Sequence, residues 1–403
     1  MNSLFTQIAR KARELLDSRT GDPVEQLIAD CNELLSSRGE ATGLTLATTI
    51  FEAWRDLDND QRIQLLTALY QDFGPNRAAL ERAIHDYAQD PDGAVLAIHE
   101  ASEPRRQELI RRLNSAPNGT RRLIHLREQM RQLDLPKAMQ RALDDDFVHL
   151  FSSWFNKGFL QLREINWQTP ADLLEKLIAY ESVHAIQGWD DLRRRLASDR
   201  RCFGYFHPAM PDEPLIFVEV ALVKGVATSI TPLLNEPEGD PNQADTAVFY
   251  SINNCQRGLN RVSFGNFLIK QVVEELRQSL PQLKTFVTLS PIPGLRRWVE
   301  SNTRAVPEDD EGMRKLCLEY LTTLDQERPL DPVARFHLGN GARLEQINLS
   351  ADPSDNGRGQ SYGAMVNYLY THNEIVSNHE ALMQEGQIAL GPKVKPLFKQ
   401  LTA

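Results

Sequence analysis

Arg257, Gly258, Arg261 and Gly265 lie in a loop between a strand-like and a helix-like segment, and their types suit a pyrophosphate. The arginines supply positive charge, the glycines let backbone approach a ligand, and the following helix offers unpaired N–H groups at its start. The loop lacks both the Lys-Ser/Thr pair of a phosphate loop and the glycine spacing of a dinucleotide fold. On spacing alone the favoured reading is an ordinary βα turn whose glycines only serve backbone geometry.

Two serines, Ser251 and Ser290, close strand patterns, which is where open α/β folds usually place ligands. Neither has glycine two residues away on each side, so neither fits a nucleophile elbow. Their plainer readings are a helix cap before a first-turn proline for Ser290 and a self-bonded turn for Ser251. His337 stands before Gly339-Asn340-Gly341, read as a loop position at the entrance to a strand. His184, His207, His372 and His379 read as surface or core-edge residues, and His85, His99, His125 and His149 fall in the helical half. Tyr368 and Tyr370 are secondary candidates beside Ser251, although strand alternation alone puts both on one face. No His, Asp and Glu residues share metal-ligand spacing.

Composition bounds the class. At 403 residues the chain exceeds one compact core and calls for two or three domains. A net charge of −10 excludes a general nucleic-acid binder or a partner of anionic membranes, so any phosphate site is local. Cys31, Cys202, Cys255 and Cys317 are too scattered for a zinc site or a disulfide framework, and they fit a reducing compartment. No apolar run spans a membrane and no secretory pattern opens the chain, so a cytoplasmic protein is expected. Met1 to Asp17 reads as an ordinary amphipathic helix.

The elements that must position these residues change character along the chain. To about residue 160 the pattern is helical: Asp22-Pro23 is a cap with proline at the first helical position, and apolar stripes recur between breaks such as Asp90-Pro91-Asp92-Gly93. A helix at Pro170–Tyr180 is assigned Thr169 as its cap. From Arg201 the period becomes that of strands, over Cys202–Phe206, Leu215–Val223, Thr246–Ile252, Thr285–Leu289, Ala342–Leu349 and Ala364–Tyr370. Asp352–Gly363 reads as a loop or ligand-covering flap, and Gly391–Phe398 as a surface tail. The expected organisation is an all-α domain at 1–160 followed by a mixed-sheet α/β domain at 161–403.

Several ordered blocks together resemble malonyl-CoA decarboxylases: Phe147-Val148-His149-Leu150-Phe151, Glu213-Pro214-Leu215, Phe249-Tyr250-Ser251-Ile252, Phe267-Leu268-Ile269-Lys270, Leu289-Ser290-Pro291-Ile292-Pro293-Gly294 and Phe336-His337-Leu338-Gly339-Asn340-Gly341-Ala342. The resemblance implies a helical domain used for self-association, giving a homo-oligomer up to a tetramer, and a GNAT-like catalytic domain. It carries the family's catalytic serine and histidine onto Ser290 and His337. It places the malonyl-CoA-binding stretch at Asn260, Arg261, Val262, Ser263, Phe264, Gly265 and Asn266, with Arg257 and Gly258 beside it. Ser263 stands where eukaryotic members carry an acidic residue, and the ending lacks their peroxisomal signal, so a bacterial, cytoplasmic member is expected.

The chemistry so implied needs no metal or organic cofactor, because the substrate thioester is itself the electron sink. It needs donors at an enolate oxygen, a dry pocket and an acid for carbon. His337 is expected to hold the malonyl carboxylate or thioester oxygen and Ser290 to protonate carbon, with the reverse division open. The competing readings are an acyl-CoA N-acyltransferase, which needs an amine acceptor, and a non-catalytic acyl-CoA-responsive interaction protein.

Overall fold

The computed structural model describes residues 21–36, 39–262, 264 and 268–402. The Met1 to Asp17 stretch and Ser263, Gly265 and Asn266 lie outside the described residues. Two compact units divide the chain. One takes the chain up to Phe159 with Pro208–Met210 and the stretch that begins at Gln256; the other takes Leu160–His207, Pro211–Cys255 and the chain from Phe264 onward.

The first unit is helical, as its periodicity requires. Its described helices are Pro23–Ser36, Glu40–Asp56, Asn59–Asp72, Arg77–Tyr87, Pro91–Ser102, Arg105–Leu113, Gly119–Gln132 and Lys137–Trp154. Asp22 Oδ1 accepts the Val24 N–H at 2.9 Å, which satisfies one of the donors a helix leaves open at its start. Asp90 does the same for Gly93, so the segment read as a break in fact opens a helix. Leu27, Leu65, Phe73, Leu123 and Phe151 are buried within the unit. Two buried arginines are neutralised there, Arg106 by Asp146 at 2.7 Å and Arg127 by Asp144 at 2.8 Å. Buried charge persists only when paired in this way.

The second unit is built on one mixed sheet. Its strands are β1 (Gln161–Ile165), β2 (Arg200–His207), β3 (Met210–Val223), β4 (Thr246–Asn254), β5 (Thr285–Thr288) and β6 (Ser290–Pro291). Two short strands off the sheet, β7 (Leu324–Asp325) and β8 (Arg328–Pro329), pair with each other; β9 (Arg343–Asn348) and β10 (Met365–Leu369) complete the set. The order is β1-β2-β3-β4-β5-β10-β6, with β9 also on β10. β4 and β5 run parallel, while β1 pairs antiparallel with β2 and β3 with β4, so the sheet is mixed, as expected. β1 was not anticipated, because Gln161, Arg163 and Glu164 give it an exposed, polar edge.

Two features position the site. The parallel pairing of β4 with β5 ends at Phe249 and Thr288, after a last bond from the Leu289 N–H to the Phe249 carbonyl at 2.9 Å. At the same level the β3–β4 register slips between Glu219 and Val220, which leaves Tyr250 as the extra residue of a bulge.

Three local readings are corrected. Thr169 does not cap the following helix, Ala171–Tyr180, because its hydroxyl accepts the Asn166 N–H and closes the preceding turn. The Asp352–Gly363 segment contains a helix, Asp355–Ser361, whose cap is Ser354. The tail ends in a helix, Lys395–Thr402.

Candidate active site

Ser290 is carried by the sheet and is no helix cap. It pairs with Val366 of β10, and the next helix begins only at Leu295. Its Oγ donates to Thr288 Oγ1 at 2.9 Å and lies 3.1 Å from His337 Nε2. Residues two apart on a strand share a face, so β5 and β6 deliver both hydroxyls to the same side.

His337 sits on a helix, Pro332–Gly339, and not in a loop. Asp331 Oδ1 caps that helix by accepting the N–H groups of Val333 at 2.9 Å and Ala334 at 2.8 Å, and Pro332 takes the first position. The same Asp-Pro signal marks the helix at Pro23, and it was equally present here. Gly341 ends the passage with φ +83°, where an added Cβ would come within 2.1 Å of the Ile375 carbonyl. His337 therefore projects from the last turn with little freedom.

Its ring is fully engaged. Nδ1 lies 2.8 Å from the Tyr370 hydroxyl, and the Tyr368 ring stacks on it at 4.7 Å between centroids and 24° between planes. His337 is 2% exposed and Ser290 5% exposed. Burial pushes the His337 pKa down to about 3, with no charged neighbour contributing, so the ring is neutral at physiological pH. With the Ser290 O–H donated to Thr288, the tautomer with a proton on Nε2 fits, pointing to Ser290 Oγ and taking the Tyr370 O–H at Nδ1; the other tautomer requires the Ser290 O–H to turn to Nε2 and the Thr288 O–H to turn to Ser290. Thr288, Ser290, His337 and Tyr370 form one uncharged hydrogen-bonded row.

Sequence reasoning missed the support beneath that row. Thr288 Oγ1 also accepts the Tyr368 N–H at 3.1 Å, and the Thr288 carbonyl accepts Asn367 Nδ2 at 2.7 Å. Asn367 Oδ1 in turn accepts Asn348 Nδ2 at 2.7 Å. The available signal was Thr288's place two residues before Ser290. Tyr370, a secondary candidate, is a direct partner of His337; Tyr368 packs on the ring, and its buried hydroxyl has no partner.

Ser251 belongs to a different cluster. It is buried in β4 and donates to Glu181 Oε2 at 2.8 Å, where Asn253 Nδ2 also bonds at 2.7 Å, so it forms no self-bonded turn. Glu181 Oε1 accepts the backbone N–H of His184, a buried residue whose pKa is lowered chiefly by burial.

The loop residues are divided between the units. Arg257, Gly258, Asn260, Arg261 and Val262 belong to the helical unit and Phe264 to the sheet unit. Gly258 is required by packing, since an added Cβ would lie 2.0 Å from the Ile124 carbonyl. Arg127 donates to the Gly258 carbonyl at 2.6 Å and to the Asn260 carbonyl at 2.8 Å. Arg261 adopts φ +71° and its guanidinium reaches Asp144 at 2.7 Å and Asp145 at 3.0 Å. Arg257 is exposed. Among the described residues no group of three or more His, Cys, Asp or Glu side chains is placed to hold a metal.

A family model described as the malonyl-CoA decarboxylase C-terminal domain matches residues 158–311 and 308–403, and one described as its N-terminal domain matches 73–155. The mitochondrial malonyl-CoA decarboxylase of Anser anser anser is 31% identical over 405 residues, covering 84% of this chain and 80% of that protein. A crystal structure of malonyl-CoA decarboxylase from Rhodopseudomonas palustris shares 47% identity at a TM-score of 0.87, covering 93% of this chain and 99% of the other. One from Agrobacterium vitis shares 49% at 0.86, with coverages of 92% and 99%.

Replacing Thr288 with valine keeps the shape but leaves the Tyr368 N–H and the Ser290 hydroxyl without their shared acceptor. The variant is expected to lose about 1–3 kcal/mol of stability, the usual cost of a buried polar group left unpaired. An unchanged denaturation midpoint would show that Thr288 does not hold this row.

Proposed function

The chain belongs to the malonyl-CoA decarboxylase family, and from that premise we propose that Ser290 and His337 carry the conversion of malonyl-CoA to acetyl-CoA and carbon dioxide. The supporting observation is the 3.1 Å contact between a buried serine and a buried, neutral histidine.

The reaction sets the requirements. The bond between the malonyl carboxylate and C2 breaks, its electron pair moves into the thioester carbonyl, carbon dioxide leaves, and C2 of the enolate takes a proton. Moving a carboxylate out of water into a dry site disfavours it relative to the transition state, in which its charge is spreading into the thioester. A neutral imidazole can donate Nε2–H to an oxygen without holding the carboxylate as a fixed ion pair. His337 in that tautomer is the oxygen donor, and Ser290, joined to both His337 and Thr288, delivers the proton to carbon. The proton consumed comes finally from solvent. No cofactor takes part in this reading.

The loop Asn260–Asn266, with Arg257 and Gly258, remains the proposed CoA-binding stretch. Arg261 would then exchange its contacts with Asp144 and Asp145 for the pyrophosphate. The protein is proposed to work in the cytoplasm; no helix among the described residues is long and apolar enough to cross a membrane. It is proposed to self-associate through the helical unit, where Ile84, Tyr87, Val95 and Leu96 are all at least 46% exposed. Sedimentation of the purified protein is expected to give a multiple of 45.8 kDa, and a concentration-independent single-chain mass would contradict self-association.

Metal-stripped protein incubated with malonyl-CoA is expected to release carbon dioxide and acetyl-CoA in equal amounts. His337→Asn should lower kcat by about 100-fold or more with much less change in KM, as for loss of an interaction made in the transition state. Intact malonyl-CoA would refute the reading and favour transfer to an acceptor; full activity of His337→Asn would remove the histidine from the chemistry.

A further inference from the structure

Asp331 is fully buried, and no step assigned above uses it. One of its oxygens is spent on the helix that carries His337, accepting the N–H groups of Val333 and Ala334. The other, Oδ2, has no hydrogen-bond partner, while the Tyr320 hydroxyl and the Gly294 N–H stabilise the charge of the carboxylate. Gly294 lies in the turn between β6, which carries Ser290, and the helix that begins at Leu295. It is pressed so closely on Tyr320 that an added Cβ would lie 2.0 Å from the hydroxyl oxygen. One carboxylate thus stands between the helix that carries His337 and the turn that follows the Ser290 strand. A cap alone needs one oxygen, and serine or asparagine would serve.

We propose that Asp331 is a positioning residue for the catalytic pair: its Oδ1 fixes the His337 helix, its charge holds the Gly294 turn that follows the Ser290 strand, and the carboxylate so placed sets the Ser290–His337 separation. This rests on the decarboxylase reading for its kinetic consequences and on geometry alone for its structural one.

The charge state matters because the two oxygens are used differently. A protonated carboxyl still offers Oδ1 to the helix, but it loses the charge that the Gly294 N–H and the Tyr320 hydroxyl stabilise. Burial raises the Asp331 pKa to about 6, opposed by the N–H groups of Ala334, Val333 and Gly294 and by Tyr320. The other titratable groups that interact with this cluster are Tyr368 on β10 and the arginines Arg297 and Arg335, which act on Tyr320. Burial raises the pKa of Tyr320 and of Tyr368, so both hydroxyls stay protonated across neutral pH while the carboxyl changes state there. Because the folded pKa lies above that of a free carboxyl, the bridging form is complete above about 6 and is lost as pH falls through that value. His337 is already neutral over this whole range. An acid limb near pH 6 in kcat therefore belongs to Asp331 and not to the histidine.

Asp331→Ser keeps a helix cap and removes the second oxygen, while Asp331→Asn keeps the shape and places a donor at the turn. Both are expected to fold with a denaturation midpoint near that of the wild type and to lose at least about tenfold in kcat with KM within about threefold. In Asp331→Asn, kcat should also lose the acid limb and run flat from pH 5 to 7. Histidine ring signals from 15N-labelled protein, with His337 assigned by its loss in His337→Asn, report the geometry without turnover. They should shift in Asp331→Ser. Wild-type kcat and unshifted His337 signals in Asp331→Ser would overturn the proposal, as would a loss of activity that only follows a fall in the midpoint. A wild type that leaves malonyl-CoA intact would defeat the decarboxylase reading instead, and the ring signals would still decide the role of Asp331.

Discussion

Burial of a histidine with no charge beside it is the constraint on which the rest of this structure depends. A ring taken out of water must satisfy both nitrogens or lose the value of a hydrogen bond at each. Here one nitrogen meets Ser290 and the other Tyr370, from segments 47 and 33 residues away in the chain. Ser290 is a strand residue, and Tyr370 follows directly on β10 with its N–H held by the Phe286 carbonyl at 2.9 Å, so sheet register sets the placement of both. A slip of one residue in β10 would turn Tyr368 and Tyr370 to the opposite face.

The sheet meets this demand by an interruption. β4 and β5 stay together for four paired positions and then part, so that Ser290 leaves β4 and pairs with β10. Thr288 and Asn367 close the backbone and hydroxyl groups that the parting would otherwise leave open. The result is a row of neutral donors and acceptors in a dry setting. Such a row suits a reaction whose substrate brings its own charge and its own electron sink, and which is hindered by a fixed cation that holds the carboxylate in place.

Much of this was legible in the chain. Helical stripes before residue 160 and alternating apolar runs after Arg201 gave the two classes of structure in order, and the ordered blocks singled out Ser290 and His337. What escaped was long-range or hidden in a local ambiguity. Asp331-Pro332 was the helix signal that would have moved His337 out of a loop, yet the glycines after it suggested a turn. Thr288 and Asn367 gain their importance only when β5, β6 and β10 are brought together, and no local pattern records that pairing. Sequence alone likewise cannot show that Ile124 lies against Gly258. Nor does any local pattern show that Arg261 meets two carboxylates from a helix over a hundred residues away.

The most direct measurement is the acid titration of His337 itself, followed by 15N chemical shifts of its ring in the intact protein. A neutral, uncharged row predicts one constant tautomer from pH 8 down to about 4, with protonation only near 3. An imidazolium that forms near the ordinary histidine value of about 6.5 would contradict it, because the site would then hold a cation at the pH of catalysis.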